Sequence, residues 1–240
     1  MNNSNQPNRS VLWLCRCLLL YFFAQFNSAV AADAVDYPFT IEALHERHQD
    51  EITALHTYQA YADQARADGY PNIAHLFRSL AASEAVHANN FKKVLVEFGE
   101  KARAKVLTDI KVLDTRQNLK NAVEVEAREI DHEYPSILKK ISPENHKQAM
   151  QFIEYAWKSE KQHRALIAKM QKGTKKFWFS FLVDVIEGEP VDYYVCQICG
   201  STLTELPKDK CSICGHPVSN YTLMQRVDPL ETEPDLFDDF

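Results

Sequence analysis

Glycine is scarce in this chain, which has 6 glycines among 240 residues. A fold of many short strands and tight turns is therefore disfavoured, although 45% hydrophobic and 25% charged residues is ordinary globular usage. Lysine and arginine are absent from the last fourteen residues, which contain six acidic residues. That segment accounts for the formal net charge of −6. Since the rest of the chain is close to neutral, a basic surface for nucleic acid is not supported, and we expect no nucleic-acid partner.

Acidic residues are also absent from residues 1–31. Arg9 precedes the apolar run Val11–Phe26, and the small residues Ala29–Ala31 follow it. A basic start, an apolar middle and an A-x-A site are typical of a cleaved secretory signal peptide, and the run is short for a membrane span. We therefore expect an exported, periplasmic protein. A membrane-anchored protein and a cytoplasmic protein are the alternatives.

Apolar residues recur at steps of three and four in the segments that follow, which indicates amphipathic helices. The predicted helices run over Thr40–Asp68 before Gly69, from Pro71 to Gly99, from a Thr115 cap through a kink at Pro135, and from Ser142-Pro143 to Gly173. A long link separates the second helix from the third. The pattern predicts a mainly α chain with a ferritin-like four-helix bundle over residues 38–173.

The remainder divides into three short segments. Residues 174–190 are predicted to be a linker, whose aromatic patch at 177–181 we expect to be buried against a neighbouring domain. Residues 191–226 hold two cysteine pairs and form a predicted small metal module. Residues 227–240 are a predicted solvated acidic tail.

An internal repeat carries acidic residues and histidines through the bundle. The motif Glu84-x-x-His87 recurs 76 residues later as Glu160-x-x-His163, and Glu51 recurs 75 residues later as Glu126. Glu-x-x-His places both side chains on one helix face, about one turn apart. Two such motifs with one glutamate from each remaining helix predict a carboxylate-bridged dinuclear metal site, suited to iron or manganese.

Three further residues belong to this predicted site. Glu129 lies one turn after Glu126 and breaks the repeat, because Ala54 occupies the corresponding position after Glu51. Tyr58 and Tyr134 lie two turns beyond Glu51 and Glu126, where their hydroxyl groups can donate hydrogen bonds to ligand carboxylates.

The small module contains four cysteines in two C-x-x-C pairs. The predicted metal ligands are Cys196, Cys199, Cys211 and Cys214. Four thiolates in two such pairs predict a tetrahedral site, which the sequence leaves open between a structural zinc and a redox iron. Two disulfides are the alternative.

With both sites in view, the chain resembles the rubrerythrin family over roughly residues 40–225. The resemblance rests on the glutamate and histidine motifs above, on Asp68-Gly69-Tyr70 and Tyr134-Pro135, and on Tyr194-x-Cys196-x-x-Cys199-Gly200. It implies a di-iron bundle joined to a rubredoxin-like module with one iron. It also implies reduction of hydrogen peroxide to water, with electrons passing from a reduced donor protein through the four-cysteine iron, typically across a head-to-tail homodimer.

The resemblance further implies roles for individual residues. Glu129 would bind the oxidised di-iron centre and His87 the reduced one, while Glu51, Tyr58 and Tyr134 would complete the catalytic group. Two other functions stay open at this point. One is a ferroxidase or iron-handling protein on the same scaffold, and the other is a zinc-stabilised binding module.

Overall fold

The computed structural model describes residues 36–104, 110–174 and 190–226. The described residues from Tyr37 to Arg226 belong to one compact unit. The predicted signal peptide, nearly all of the predicted linker with its aromatic patch, and the acidic tail lie outside the described residues. No helix within the described part of the chain is long and apolar enough to span a membrane.

Helices dominate the described residues and are followed by a small three-stranded sheet. The helices are α1 (Pro38–Ala67), α2 (Pro71–Glu97), α3 (Thr115–Arg128), a π-helix (Glu129–Glu133), α4 (Tyr134–Ile141) and α5 (Lys147–Thr174). The strands are β1 (Tyr194–Cys196), β2 (Thr202–Leu203) and β3 (Tyr221–Leu223), with a 3₁₀-helix over Val218–Asn220. The mainly α class and the ferritin-like bundle are confirmed.

The internal repeat extends to the ends of the helices. The carboxylate of Asp68 accepts hydrogen bonds from the backbone N and the hydroxyl of Thr115, at 2.9 and 2.6 Å. The carboxylate of Glu144 accepts the equivalent pair from Thr40, at 2.8 and 2.6 Å. Each carboxylate therefore satisfies free N–H groups at the start of the helix that opens the other half of the repeat.

Gly69 lies two residues before Pro71, which starts α2, and its φ of +82° is the left-handed value that ends α1. Asn145 takes the same role in the second half with a φ of +55°. The repeat therefore keeps its turn geometry although asparagine replaces glycine, because asparagine tolerates this conformation better than most residues.

Two predicted helix starts are wrong. Asp114, not Thr115, caps α3, since its side chain accepts a hydrogen bond from the backbone N of Gln117 while the Thr115 hydroxyl group is bonded to Asp68. The last helix begins at Lys147 rather than at Ser142-Pro143, because Glu144 is held outside the helix by its hydrogen bonds to the start of α1.

The expected kink at Pro135 takes the form of a π-helix just before it. The backbone N of Tyr134 donates to the carbonyl oxygen of Glu129, five residues earlier. Proline has no N–H and its ring crowds the carbonyl group four residues back, so an α-helical turn through Pro135 is disfavoured. The wider turn inserts an extra residue between Glu126 and Tyr134 without ending the helix.

The helices pair as α1 with α2 and α3–α4 with α5, and α2 also packs on α5. Buried aliphatic and aromatic side chains fill both ends of the bundle, including Phe77 and Leu119 at one end and Phe91 and Tyr134 at the other. The buried polar side chains lie between these two apolar clusters. Such burial costs free energy unless the groups bind one another or a ligand.

The sheet has the order β2-β1-β3, and both pairs are antiparallel. It supports the four cysteines, and its strands β1 and β2 pack on α2 and α5. The small module therefore lies against the α2–α5 side of the bundle, next to the middle of those helices.

Candidate metal centres

The repeated glutamates and histidines meet inside the bundle. Two groups of four side chains place their ligand atoms within 4.8 Å of one another: Glu51, Glu84, His87 and Glu160, and Glu84, Glu126, Glu160 and His163. Glu84 and Glu160 belong to both groups. The arrangement offers two adjacent metal positions, each with one imidazole, one terminal carboxylate and two shared carboxylates.

The contacts inside these groups are short but incompletely satisfied. Nδ1 of His163 lies 2.7 Å from a Glu160 oxygen, yet it makes no hydrogen bond of acceptable geometry. Oε2 of Glu126 is also buried without a hydrogen-bond partner. Since buried polar atoms are nearly always paired, a cation bound between these atoms fits the site.

The pKa values of the clustered glutamates and histidines also indicate that a positively charged ion fits among these side chains. Burial raises the pKa of Glu51 to about 7, against the opposing effect of His87. Burial and the neighbouring carboxylates, Glu160 first, raise the pKa of Glu126 well above its usual range. Burial opposes the charge on His163, but Glu84 and Glu160 outweigh it and raise its pKa to about 10. Metal ions that replace these protons would let the carboxylates ionise.

Two buried tyrosines hold the terminal carboxylates, and each reaches across to the other half of the repeat. The hydroxyl group of Tyr58 donates to Glu126 at 2.5 Å, and that of Tyr134 donates to Glu51 at 2.6 Å. These hydrogen bonds fix the carboxylate orientations, which is the usual role of groups that support metal ligands.

Glu129 lies beside the cluster rather than within either group of four. It is the first residue of the π-helix and is half-buried. Burial, Glu160 and Glu51 raise its pKa well above the ordinary value, against the positive charge of Arg47. The guanidinium group of Arg47 lies over the Tyr134 ring, 5.4 Å from the centroid.

The four cysteine sulfurs also converge. The Sγ atoms of Cys196 and Cys214 are 3.8 Å apart, and those of Cys199 and Cys211 are 3.6 Å apart. Metal–sulfur bonds of about 2.3 Å place tetrahedral sulfurs about 3.8 Å apart, whereas a disulfide joins them at about 2.0 Å. A hydrogen bond from Cys199 lowers the pKa of Cys196 to about 5, which favours the thiolate that binds metal. The disulfide alternative does not fit this geometry.

The two sites touch through one cysteine-bearing turn. The bundle meets the carbonyl oxygens of three successive residues there: Asn90 donates to Ile198 at 2.9 Å, His87 Nε2 lies 3.2 Å from Cys199, and Ser83 donates to Gly200 at 2.6 Å. On α5, Gln162 accepts hydrogen bonds from the Ser201 hydroxyl and the Thr202 backbone N. The contact between His87 and the carbonyl oxygen of Cys199 therefore joins a predicted ligand of one centre directly to a predicted ligand of the other.

Sequence reasoning did not identify this docking surface. Ser83, Asn90 and Gln162 are ordinary polar residues of helices, and their partners are mostly backbone atoms. Backbone acceptors leave no trace in residue type, so only the tertiary structure reveals them. The helix spacing does give a partial signal, because Ser83, His87 and Asn90 share one face of α2.

Comparison with known proteins is consistent with this geometry. The family model for rubrerythrin matches residues 42–171. Rubrerythrin-2 of Clostridium acetobutylicum is 29% identical over 185 residues, which cover 76% of this chain and 95% of that protein.

The chain is also similar to solved structures of proteins with this bundle fold. A nigerythrin structure in a mixed-valence state has a TM-score of 0.66 and 25% identity, and the match covers 77% of this chain and 86% of that chain. A Desulfovibrio desulfuricans bacterioferritin, whose structure reports a di-iron site, shares the bundle fold with a TM-score of 0.57. That match has 18% identity and covers 63% of this chain and 88% of that one.

The cluster of carboxylates and imidazoles is accordingly a di-iron site, and the four cysteines form a second metal site beside it. Since the matching family model spans more than half of the chain and includes both Glu-x-x-His motifs, the chain belongs to the rubrerythrin family.

Proposed function

We propose that this protein reduces hydrogen peroxide to water at the di-iron site and receives electrons through iron held by the four cysteines. The contact between His87 and the carbonyl oxygen of Cys199 carries this proposal. It joins a ligand of the di-iron site to a ligand of the cysteine site through one backbone carbonyl. A structural zinc carries no electrons and does not require a contact with the di-iron site. Repeated turnover, in contrast, requires a route by which electrons reach the di-iron site.

The di-iron centre, when bound, supplies two adjacent redox-active ions that can hold both oxygens of a peroxide and provide electrons for its cleavage. The side chains of this protein would hold the two ions and orient their ligands. Glu84 and Glu160 bring the two metal positions together, and Tyr58 and Tyr134 orient the terminal carboxylates. Ser83 and Asn90 hold the cysteine-bearing turn against His87.

The contact lies within one chain. The resemblance implied electron transfer across a head-to-tail dimer, but here the module packs on α2 and α5 of its own bundle. We still propose that the protein forms a homodimer. The electron transfer from the cysteine-bound iron to the di-iron site, which we call the relay, does not depend on that dimer.

The test uses Cys199→Ser, with Ser212→Ala as the matched control in the other cysteine pair. Two rates are measured: steady peroxide turnover with a reducing donor protein, and a single oxidation of the reduced di-iron centre by peroxide. We expect Cys199→Ser to lose the first and keep the second. Equal steady turnover in the two variants would contradict the relay.

Metal analysis with a visible spectrum separates the alternatives. Iron bound to thiolates absorbs visible light in its ferric state, and zinc does not. Zinc in the cysteine site would favour a binding module. Rapid oxidation of iron(II) by oxygen with negligible peroxide reduction would favour a ferroxidase.

We also propose that the protein is exported, on the strength of Arg9, the apolar run Val11–Phe26 and Ala29–Ala31. Cell fractionation and sequencing of the mature N-terminus test this. We expect the mature chain to begin near Ala32 outside the cytoplasm. A cytoplasmic protein that retains residues 1–31 would contradict export.

A further inference from the structure

A cavity of about 380 Å³ lies between α1 and α3, beside the di-iron site. Its inner end includes Tyr58, which is buried and bonded to Glu126, and Glu129. Its outer end includes Arg128 and Asp50, whose side chains are 59% and 40% exposed. The cavity therefore connects solvent with the residues around the carboxylate cluster.

The cavity and the cysteine module lie on different sides of the bundle. The module packs on α2 and α5, whereas the cavity lies between α1 and α3. A molecule in the cavity would approach the di-iron site without displacing the turn at Cys199. Substrate and electrons can therefore reach the same centre by separate routes.

The size of the cavity exceeds what hydrogen peroxide requires. A water molecule takes up about 30 Å³, so the cavity has room for roughly a dozen waters. Hydrogen peroxide has only two heavy atoms. Volumes from about 300 Å³ upward are typical of pockets that bind small organic molecules.

The walls suit an uncharged molecule with an apolar part. Ala54, Thr57 and Val125 provide small or apolar surface. Ala54 stands where the internal repeat would place the counterpart of Glu129, so the missing carboxylate leaves space and removes a charge. The positive charges of Arg47 and Arg128 are balanced by two carboxylates, because Glu133 pairs with Arg47 at 3.0 Å and with Arg128 at 2.8 Å, and Asp50 also pairs with Arg47.

We propose that this cavity binds small organic hydroperoxides and that the di-iron site reduces them to alcohols. This inference rests on the proposed function and extends its substrate class. The O–O bond breaks, and the hydroperoxide takes up two electrons and two protons to give one alcohol and one water. The electrons come from the cysteine-bound iron, which a reduced donor protein reduces again after each transfer.

The first test compares substrates in the iron-loaded full-length protein. We measure kcat/KM for tert-butyl hydroperoxide and for hydrogen peroxide in the wild type, in Thr57→Phe and in Gln59→Phe. Thr57 lines the cavity, whereas Gln59, on the same helix, does not. Filling the cavity should lower kcat/KM for tert-butyl hydroperoxide relative to that for hydrogen peroxide by at least about tenfold in Thr57→Phe. The same ratio should be unchanged in Gln59→Phe.

The second test measures binding without turnover. Calorimetric titration with 2-phenyl-2-propanol, the alcohol product of cumene hydroperoxide, reports whether an organic molecule occupies the cavity. We expect saturable binding to the wild type and to Gln59→Phe, and loss of binding in Thr57→Phe.

The outcomes distinguish the inference from the proposed function. Reduction of hydrogen peroxide without reduction or binding of the organic probes would overturn the inference alone. An unchanged ratio and unchanged binding in Thr57→Phe would also overturn it, because the organic substrate would then use another route. Absence of activity with both peroxides would overturn the proposed function.

Discussion

Gly200 and His87 are so close that a Cβ atom added to Gly200 would lie 2.2 Å from Nε2 of the imidazole. It would also lie 2.7 Å from the hydroxyl oxygen of Ser83. Real Cβ atoms do not approach other atoms so closely, and both neighbours are buried. Glycine at this position therefore permits the cysteine-bearing turn to reach the histidine ligand.

Replacing Gly200 with alanine should separate the module from the di-iron site. We expect Gly200→Ala to retain the metals of both sites but to transfer electrons from the cysteine-bound iron to the di-iron site much more slowly. Stopped-flow measurement of the oxidation of the cysteine-bound iron after mixing with peroxide gives this rate.

Gly215→Ala provides the control. Gly215 has nearly the same φ, +73° against +75°, but an added Cβ would meet no atom within 4 Å. Both variants should therefore lose about 1–2 kcal/mol for the left-handed conformation of alanine, and only Gly200→Ala should also lose the rapid transfer. Equal transfer rates in the two variants would contradict the docking role.

The tyrosine hydrogen bonds give a second prediction. Tyr134→Phe keeps the buried ring and removes only the hydroxyl group that holds Glu51 at 2.6 Å. Loss of such a supporting group typically costs about 10- to 100-fold in metal affinity or activity, and we expect a loss in this range. Iron titration and peroxide turnover are measured beside Tyr70→Phe, a half-buried tyrosine at the edge of the bundle core. Identical behaviour of the two variants would exclude a role for the Tyr134 hydroxyl group.

The clustering of the predicted ligands could be foreseen from the sequence because helix geometry is local. Residues three apart lie on one helix face, so the spacing alone pairs Glu84 with His87 and Glu160 with His163. The repeat then placed Glu51 and Glu126. The module was predictable for a similar reason, since the spacing within each cysteine pair already defines a metal-binding turn.

The remaining features depend on interactions that sequence spacing does not encode. The sequence places a kink at Pro135, but it does not specify that the kink takes the form of a π-helix at Glu129–Glu133. Glu144 and Asp68 accept hydrogen bonds from the first residues of α1 and α3, which are distant from them in sequence. The cavity arises from the spacing between α1 and α3, which no single residue type determines.

Glu129 gives a third prediction, which rests on the family resemblance. The two groups of four ligands are complete without it, so Glu129→Ala should still bind two irons. A carboxylate favours the harder ferric ion, so its loss should destabilise the diferric state and raise the reduction potential. We expect slower reduction of peroxide together with a higher potential.

Iron analysis, stopped-flow oxidation and a redox titration check these expectations. Glu124→Ala, an exposed glutamate on the same segment, is the control. Loss of both irons in Glu129→Ala would identify Glu129 as an assembly ligand. An unchanged rate and potential would show that it takes no part in the chemistry.

The fourth prediction concerns pH and the contact between α2 and the module. His75 is 4% exposed, neither of its ring nitrogens has a hydrogen-bond partner within the described residues, and its ring lies 5.2 Å from that of Tyr193. Burial lowers the pKa of His75 to about 4, and the positive charges of Arg226 and Arg78 add to this effect against the opposing charge of Asp192.

The sign follows from the unfolded value of about 6.5. Above that pH, His75 is neutral in both states and contributes no pH dependence. Between about 6.5 and 4, the unfolded chain binds a proton that the folded chain does not, so the free energy of unfolding falls as the pH falls. One such proton contributes a slope of at most about 1.4 kcal/mol per pH unit.

Replacing His75 with phenylalanine should remove this contribution while keeping a ring against Tyr193. Denaturant unfolding is compared for the wild type, His75→Phe and the exposed-site control His132→Phe. Acid also protonates the metal ligands, but this effect is common to all three proteins and cancels in the comparison. We expect the loss of stability between about pH 7 and about pH 5 to be smaller in His75→Phe alone. Parallel losses in all three proteins would show that His75 does not limit the acid stability of the docked module.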